Sequence, residues 1–255
     1  MKNLFWHLLL TVLIFSCNDD NDGNGLRNIT VDFKFTHTWD GAVINDSNFT
    51  TSVVTNANGE TMTIARLRYL ISRIELFNTQ GDSFTFDGYK FTDLSDTTTY
   101  DFSTNNAIIP SGTYTLRFIW GFNEEDNLDG AYPDLNSASW NWPEMLGGGY
   151  HFLQLDGMYN VDSSPSPYNF HNGTARLSTN PNVFEQNFAT IEFPEEIVLS
   201  ENATIEIVMD IAEFFKNPNT WNLNVLDTPL MPNYNAQKMM QENVRTVFSL
   251  GTVSQ

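Results

Sequence analysis

Three stretches of this chain alternate apolar and polar residues with a period of two, over lengths that suit a half-buried β-strand. Ile29, Val31, Phe33, Phe35 and His37 share one face of the first. Tyr114, Leu116, Phe118 and Trp120 share one face of the second, and Ala203, Ile205, Ile207, Met209 and Ile211 one face of the third. Successive strand side chains point to opposite sides, so each run places a continuous apolar stripe against a core. Residues 67–77 and 191–199 are further strand candidates. Between them sits turn chemistry: Gly81-Asp82, Asp87-Gly88, Pro110-Ser111-Gly112, Asp129-Gly130 and Asp156-Gly157. Strands at this spacing predict an all-β fold, a β-sandwich of antiparallel strands. One segment near the C-terminus is read as a short helix. Ala236, Met240, Val244, Val247 and Phe248 fall on one of its faces, with Asn233 or Asn235 as N-cap. Residues 211–216 add a short helical turn.

The N-terminus reads differently. Met1-Lys2-Asn3, an apolar run to Phe15, and Ser16-Cys17 describe a secretory signal over residues 1–17. The run is shorter than the ~20 apolar residues that span a bilayer. Leu13 to Cys17 is similar to a lipobox, so Cys17, the only cysteine, is expected to carry lipid at a bacterial outer membrane. Residues 18–27, opening Asn18-Asp19-Asp20-Asn21-Asp22-Gly23, read as a flexible acidic tether. Similar acidic runs resemble export signals of surface lipoproteins, which leaves the periplasmic face and the cell surface both open. Residues 28–255 then form one domain, since neither composition nor an internal repeat divides them. With Cys17 lipidated, disulfides, thiolate metal sites and a cysteine nucleophile are excluded. A net charge of -19 argues against nucleic acid as a partner.

The chemistry concentrates between Gly121 and Gly173. That stretch holds Trp140-Asn141-Trp142, a glycine triplet at 147–149, His151 and His171. The tryptophan pair is expected to offer one ring to the core and one to a site. His37 lies on the apolar face of the first strand, where a histidine is more often a bonded core residue than a ligand. With no thiolate, a metal centre must use imidazole with carboxylate, thioether or an aromatic face. Neutral imidazoles with a soft third group suit copper, Cu(I) ahead of Cu(II), and histidines with Asp or Glu suit zinc equally. The acid pairs Glu124-Glu125 and Glu195-Glu196 read as solvated residues. No nucleophile, base and orienting group can be named together, so the chain is not expected to be an enzyme.

Several of these segments resemble the MbnP-like family of copper-associated proteins, in the same order along the chain. They are residues 67–76, Pro110 to Tyr114 with Leu116 to Gly121, Trp140-Asn141-Trp142 with Gly149 to Phe152 and Leu155 to Gly157, Phe170 to Gly173, and the C-terminal helix. The resemblance implies a periplasmic or surface β-sandwich that binds copper for scavenging, storage or delivery. It also implies histidine ligands joined by a tryptophan oxidised to kynurenine. The oxidation is the work of a di-haem partner related to cytochrome c peroxidases. Carried over, the metal ligands are His171 first and His37 second, with His151 ranked lower. The oxidised ring is Trp140 or Trp142, with Trp39 as a rival. The chain departs from the family at Ala138-Ser139 and in an insertion, Pro143 to Leu146. A second expectation stands beside this one: a surface carbohydrate-binding or adhesion lipoprotein without metal, in which exposed Trp39, Trp221 and Tyr132 stack on sugar. The two separate on placement, since copper needs convergent imidazoles ~2 Å from one point.

Overall fold

The computed structural model describes residues 26–255. The signal segment, Cys17 and the tether as far as residue 25 lie outside the described residues.

Two sheets face each other. The first runs Phe248–Ser254, Ala203–Asp210, Asn28–Trp39, Ala42–Ile44, with the short strands Asp101–Phe102 and Ile108–Pro110 also paired to Asn28–Trp39. The second runs Ser166–Asn172, Leu153–Tyr159, Thr61–Asn78, Gly112–Trp120, Ala189–Leu199, with Ser83–Asp93 and Val54–Thr55 also paired to Thr61–Asn78. The predicted apolar stripes form the layer between them. Phe33 meets Phe86, Phe35 meets Tyr69, and Phe248 meets Tyr69, Phe118 and Trp120. Each such ring, removed from water, contributes ~1.5–3 kcal/mol.

The fold is thus the expected β-sandwich, with one departure in strand direction. Asn28–Trp39 pairs parallel with Ala203–Asp210, His37 opposite Met209, so the first sheet is mixed. A parallel pair needs a long crossover, and here the whole second sheet supplies it. Two expected turns are also strand interior. Asp87-Gly88 lies within Ser83–Asp93 and Asp156-Gly157 within Leu153–Tyr159. Gly157 is required there by close approach: a Cβ would stand 1.9 Å from the Thr63 carbonyl oxygen.

The helix Tyr234–Asn243 is capped by Asn233, whose side chain accepts from the Ala236 N–H. Ala236, Met240, Val244 and Val247 are buried, as the spacing predicts. Gln237 and Asn243 are buried with them. A five-residue helix, Pro133–Ser137, and the turn of 3-10 helix Ile211–Phe215 complete the set used below.

Candidate metal centre

Trp140 to Trp142 is extended and folds back on Gly149 to His151. The Trp142 N–H donates to the Gly149 carbonyl and the His151 N–H to the Trp140 carbonyl, with Asn141 opposite Tyr150. The glycine triplet makes the reversal, with φ of 114°, 66° and 78°. At Gly149 a Cβ would also stand 2.4 Å from the Asn127 side chain, so the turn has no room for one. Residues two apart in an extended segment share a face. The two tryptophan rings accordingly do not divide between core and site: both are buried and both flank His151, with ring centres 5.4 Å (Trp140) and 4.9 Å (Trp142) from the imidazole. Trp142 packs on Gly173 and donates its indole N–H to the Leu146 carbonyl. Trp140 is packed against Phe91, and its buried indole N–H has no hydrogen-bond partner.

The second imidazole arrives on a hairpin. Ser166–Asn172 pairs antiparallel with Leu153–Tyr159, Asn169 opposite Asp156 and His171 opposite Gln154. Asp156 and His171 are therefore diagonal neighbours on one face, within side-chain reach. His171 Nε2 donates to Asp156 Oδ1 at 2.8 Å. The same carboxylate accepts from Asn169 Nδ2 and from Arg66 Nε. Burial opposes its ionisation, but the hydrogen bonds from His171, Asn169 and Arg66 outweigh it. Asp156 therefore titrates at about 2.

The His151 and His171 ring centres are 5.3 Å apart, at 78°. A metal held at ~2 Å by one nitrogen of each ring sets the ring centres roughly 5–6 Å apart. Each ring also has one nitrogen committed to an oxygen acceptor: His151 Nδ1 to the Trp140 carbonyl at 3.0 Å, and His171 Nε2 to Asp156. An oxygen acceptor takes a proton from the ring, which leaves the lone pair on His151 Nε2 and on His171 Nδ1. Metal-binding histidines are oriented in this way. Burial, with the neighbouring His171, pushes the His151 pKa down to about 3, so the ring is neutral over the physiological range. The donor chemistry fits a soft metal. Among the described residues no three His, Cys, Asp or Glu side chains gather to hold one, so two imidazoles alone define the centre. Beside His171 opens an apolar cavity of about 590 Å³ whose lining includes Met145, Leu146, Pro229, Leu230 and Met231.

The other residues singled out from sequence lie apart from this pair. His37 is buried in the first sheet, its Nε2 3.1 Å from the Tyr69 hydroxyl and its ring against Tyr100. Burial pushes its pKa down to about 3. Trp39 packs on Phe215. It is 5% exposed and Trp221 0%, which leaves neither ring free to stack on sugar. Glu124, Glu125, Glu195 and Glu196 are exposed, as expected. Sequence reasoning missed two residues. Asp156 belongs to an Asp-Gly pair that signals a turn, and the structure places it inside a strand. Gln237 reaches from the helix to clamp the end of the His171 strand, donating to the His171 carbonyl at 2.7 Å and accepting from the Gly173 N–H at 3.2 Å. A polar residue on the inward side of an otherwise apolar helix face was the available signal.

The fold and this pair define a class: a two-sheet β-sandwich with two oriented imidazoles set against tryptophan. The chain belongs to the MbnP family, whose model matches residues 28–238. That membership gives it a copper-related role in general terms. The solved structure of MbnP from Methylosinus trichosporium shares the fold, with a TM-score of 0.55 at 12% identity over 89% of this chain and 99% of that one. A comparison with curated proteins finds no match.

Proposed function

We propose that this chain is a copper carrier, binding Cu(I) between His151 and His171 for scavenging, storage or delivery. The observation that carries the reading is the facing pair of imidazoles, each with one nitrogen tied to oxygen and the other bearing its lone pair. Two neutral nitrogen donors in a largely water-excluded setting suit a soft monovalent ion better than a hard one. Asp156 fixes the His171 tautomer and orients its ring. His37 has no part in this centre, because Tyr69 and Tyr100 hold it elsewhere. Trp140 and Trp142, both edging His151, are the rings that a di-haem partner would oxidise to kynurenine, adding a donor where only two stand now. Cys17 anchors the chain by lipid to the outer membrane, on its periplasmic face or the cell surface. No catalytic role is assigned to the domain.

The test is a Cu(I) titration of the purified chain against a competing chelator, alongside His151→Ala, His171→Ala and His37→Ala. We expect one copper per chain, affinity reduced at least ~100-fold in the first two variants and unchanged in the third. Wild-type affinity retained without His151 would sink the site. Mass spectrometry of the native protein then reads the state of Trp140 and Trp142.

A further inference from the structure

We propose that Glu60, with the carboxamides around it, forms a second cation site, one that takes calcium. Glu60 closes the turn between Val54–Thr55 and Thr61–Asn78, far along the sheet from the histidine pair in sequence, and is 3% exposed. A buried carboxylate is ordinarily paired with a cation or bound to a metal. None of the ion pairs among the described residues includes Glu60. Its Oε2 is buried and has no hydrogen-bond partner, and the Asn56 Nδ2 in the same turn is orphaned too.

The other oxygen shows what the surroundings offer. Glu60 Oε1 lies 2.7 Å from the carboxamides of both Asn58 and Asn224. A carboxamide presents nitrogen or oxygen at nearly the same position, according to which way it is turned. Turned over, Asn58 and Asn224 place Oδ1 beside the Glu60 carboxylate. Asn160, bonded to Asn224 at 2.7 Å, is an exposed contact and turns with it. More negative charge is close by. The hydroxyl of Tyr159 donates to Asp227, and its ionisation is pushed up by burial, by Asp227 and by Glu60, so the fields of both carboxylates reach one phenol. One or two carboxylates with carboxamide oxygens form a hard, flexible oxygen set. Calcium accepts such a set, whereas magnesium demands tighter octahedral geometry and gives up water reluctantly. With so few charged ligands, the affinity belongs to the weak, extracellular range of ~10⁻⁴–10⁻³ M.

The consequence is mechanical. Asn224 sits in the turn held by the Trp221 indole bond to Leu226, and the Asp227 carbonyl accepts from Asn169 on the His171 strand. Calcium at Glu60 would fasten that turn to the start of Thr61–Asn78.

The purified full chain, stripped with chelator, is melted in the presence and absence of ~10 mM calcium. We expect the unfolding midpoint to rise by about 3–10 °C with calcium and not with magnesium. Glu60→Gln, which keeps shape and removes charge, abolishes the rise. Asn224→Asp lowers the midpoint in chelator and enlarges the rise with calcium. Should Glu60→Gln not fold, terbium emission excited through tyrosine in the wild type decides: displacement by calcium supports the site. No rise in the wild type, an undiminished rise in Glu60→Gln, or terbium emission that calcium does not displace overturns it.

Discussion

Replacing Gln237 by leucine tests whether the candidate centre depends on a buried clamp remote from its donors. Gln237 is 0% exposed and makes four good hydrogen bonds. Its amide group donates to the His171 carbonyl at 2.7 Å and the Leu230 carbonyl at 3.2 Å. Its oxygen accepts from Asn172 Nδ2 at 3.1 Å and from the Gly173 N–H at 3.2 Å. Leucine fills a similar volume and leaves the His171 carbonyl, the Gly173 N–H and the Asn172 amide N–H without partners, while the Leu230 carbonyl keeps the Asn233 N–H at 3.0 Å. A buried group stranded in this way costs ~1–3 kcal/mol, and backbone shifts recover part of the sum. We therefore expect a loss of about 3–5 kcal/mol, which lies in the tail reserved for broken buried networks. In urea, with a slope of ~2–3 kcal/mol per molar, the midpoint falls by at least ~1 M while the slope stays constant. A fall below ~0.3 M at constant slope would refute the reasoning, because the three groups would then have found other partners. Copper affinity of the folded variant should fall as well, since the clamp holds the backbone of His171 itself.

Two further outcomes follow from burial and space. His37 and His151 stay neutral when folded, with pKa values lowered to about 3, and recover ~6.5 on unfolding. The unfolded chain thus binds more protons below ~6.5, and stability falls as pH drops from there toward 3, by up to ~1.4 kcal/mol per pH unit for each histidine. Urea midpoints of metal-free protein at pH 7 and pH 5 should differ less in His37→Phe than in the wild type, and an equal difference would refute the assignment. Gly157→Ala forces a Cβ to within 1.9 Å of the Thr63 oxygen, whereas Gly41→Ala meets no atom within 4 Å and costs only the backbone strain of its φ of 80°. The first should therefore lower the unfolding midpoint by more than ~6 °C, and the second by markedly less. Equal losses would mean that the paired strands part freely at Gly157.

What the sequence showed and what it hid divide along the range of the interactions involved. Period-two alternation is local, and burial of one face follows from it directly. Phe33, Phe118 and Ile207 were therefore assignable to the core, and the helix face of Ala236 and Met240 likewise. The parallel pairing of Phe35 with Ile207 joins residues from the two ends of the chain, and no local pattern encodes it. Gly157 misled for a related reason. An Asp-Gly pair signals a turn through glycine's freedom, but here the same residue answers a need for close contact with a strand ninety-odd positions away.

The histidines show the same division. His37 was a ligand candidate through the family resemblance alone; its alternation with apolar residues is the pattern of a core residue, and its ring packs edge-on against Tyr69 and Tyr100. His151 ranked below the other two in the carry-over from the family, and its alternation with Tyr150 and Phe152 is equally that of an exposed residue. Its position comes from three backbone facts: the glycine reversal, the bond from its own N–H to the Trp140 carbonyl, and a hairpin that returns the chain at His171. The carbonyl that fixes the His151 backbone is also the one that orients its ring. Trp140 thus sets both the place and the tautomer of the imidazole it flanks. Oxidation of its ring, which leaves the main chain intact, would alter the donors around His151 without releasing that hold.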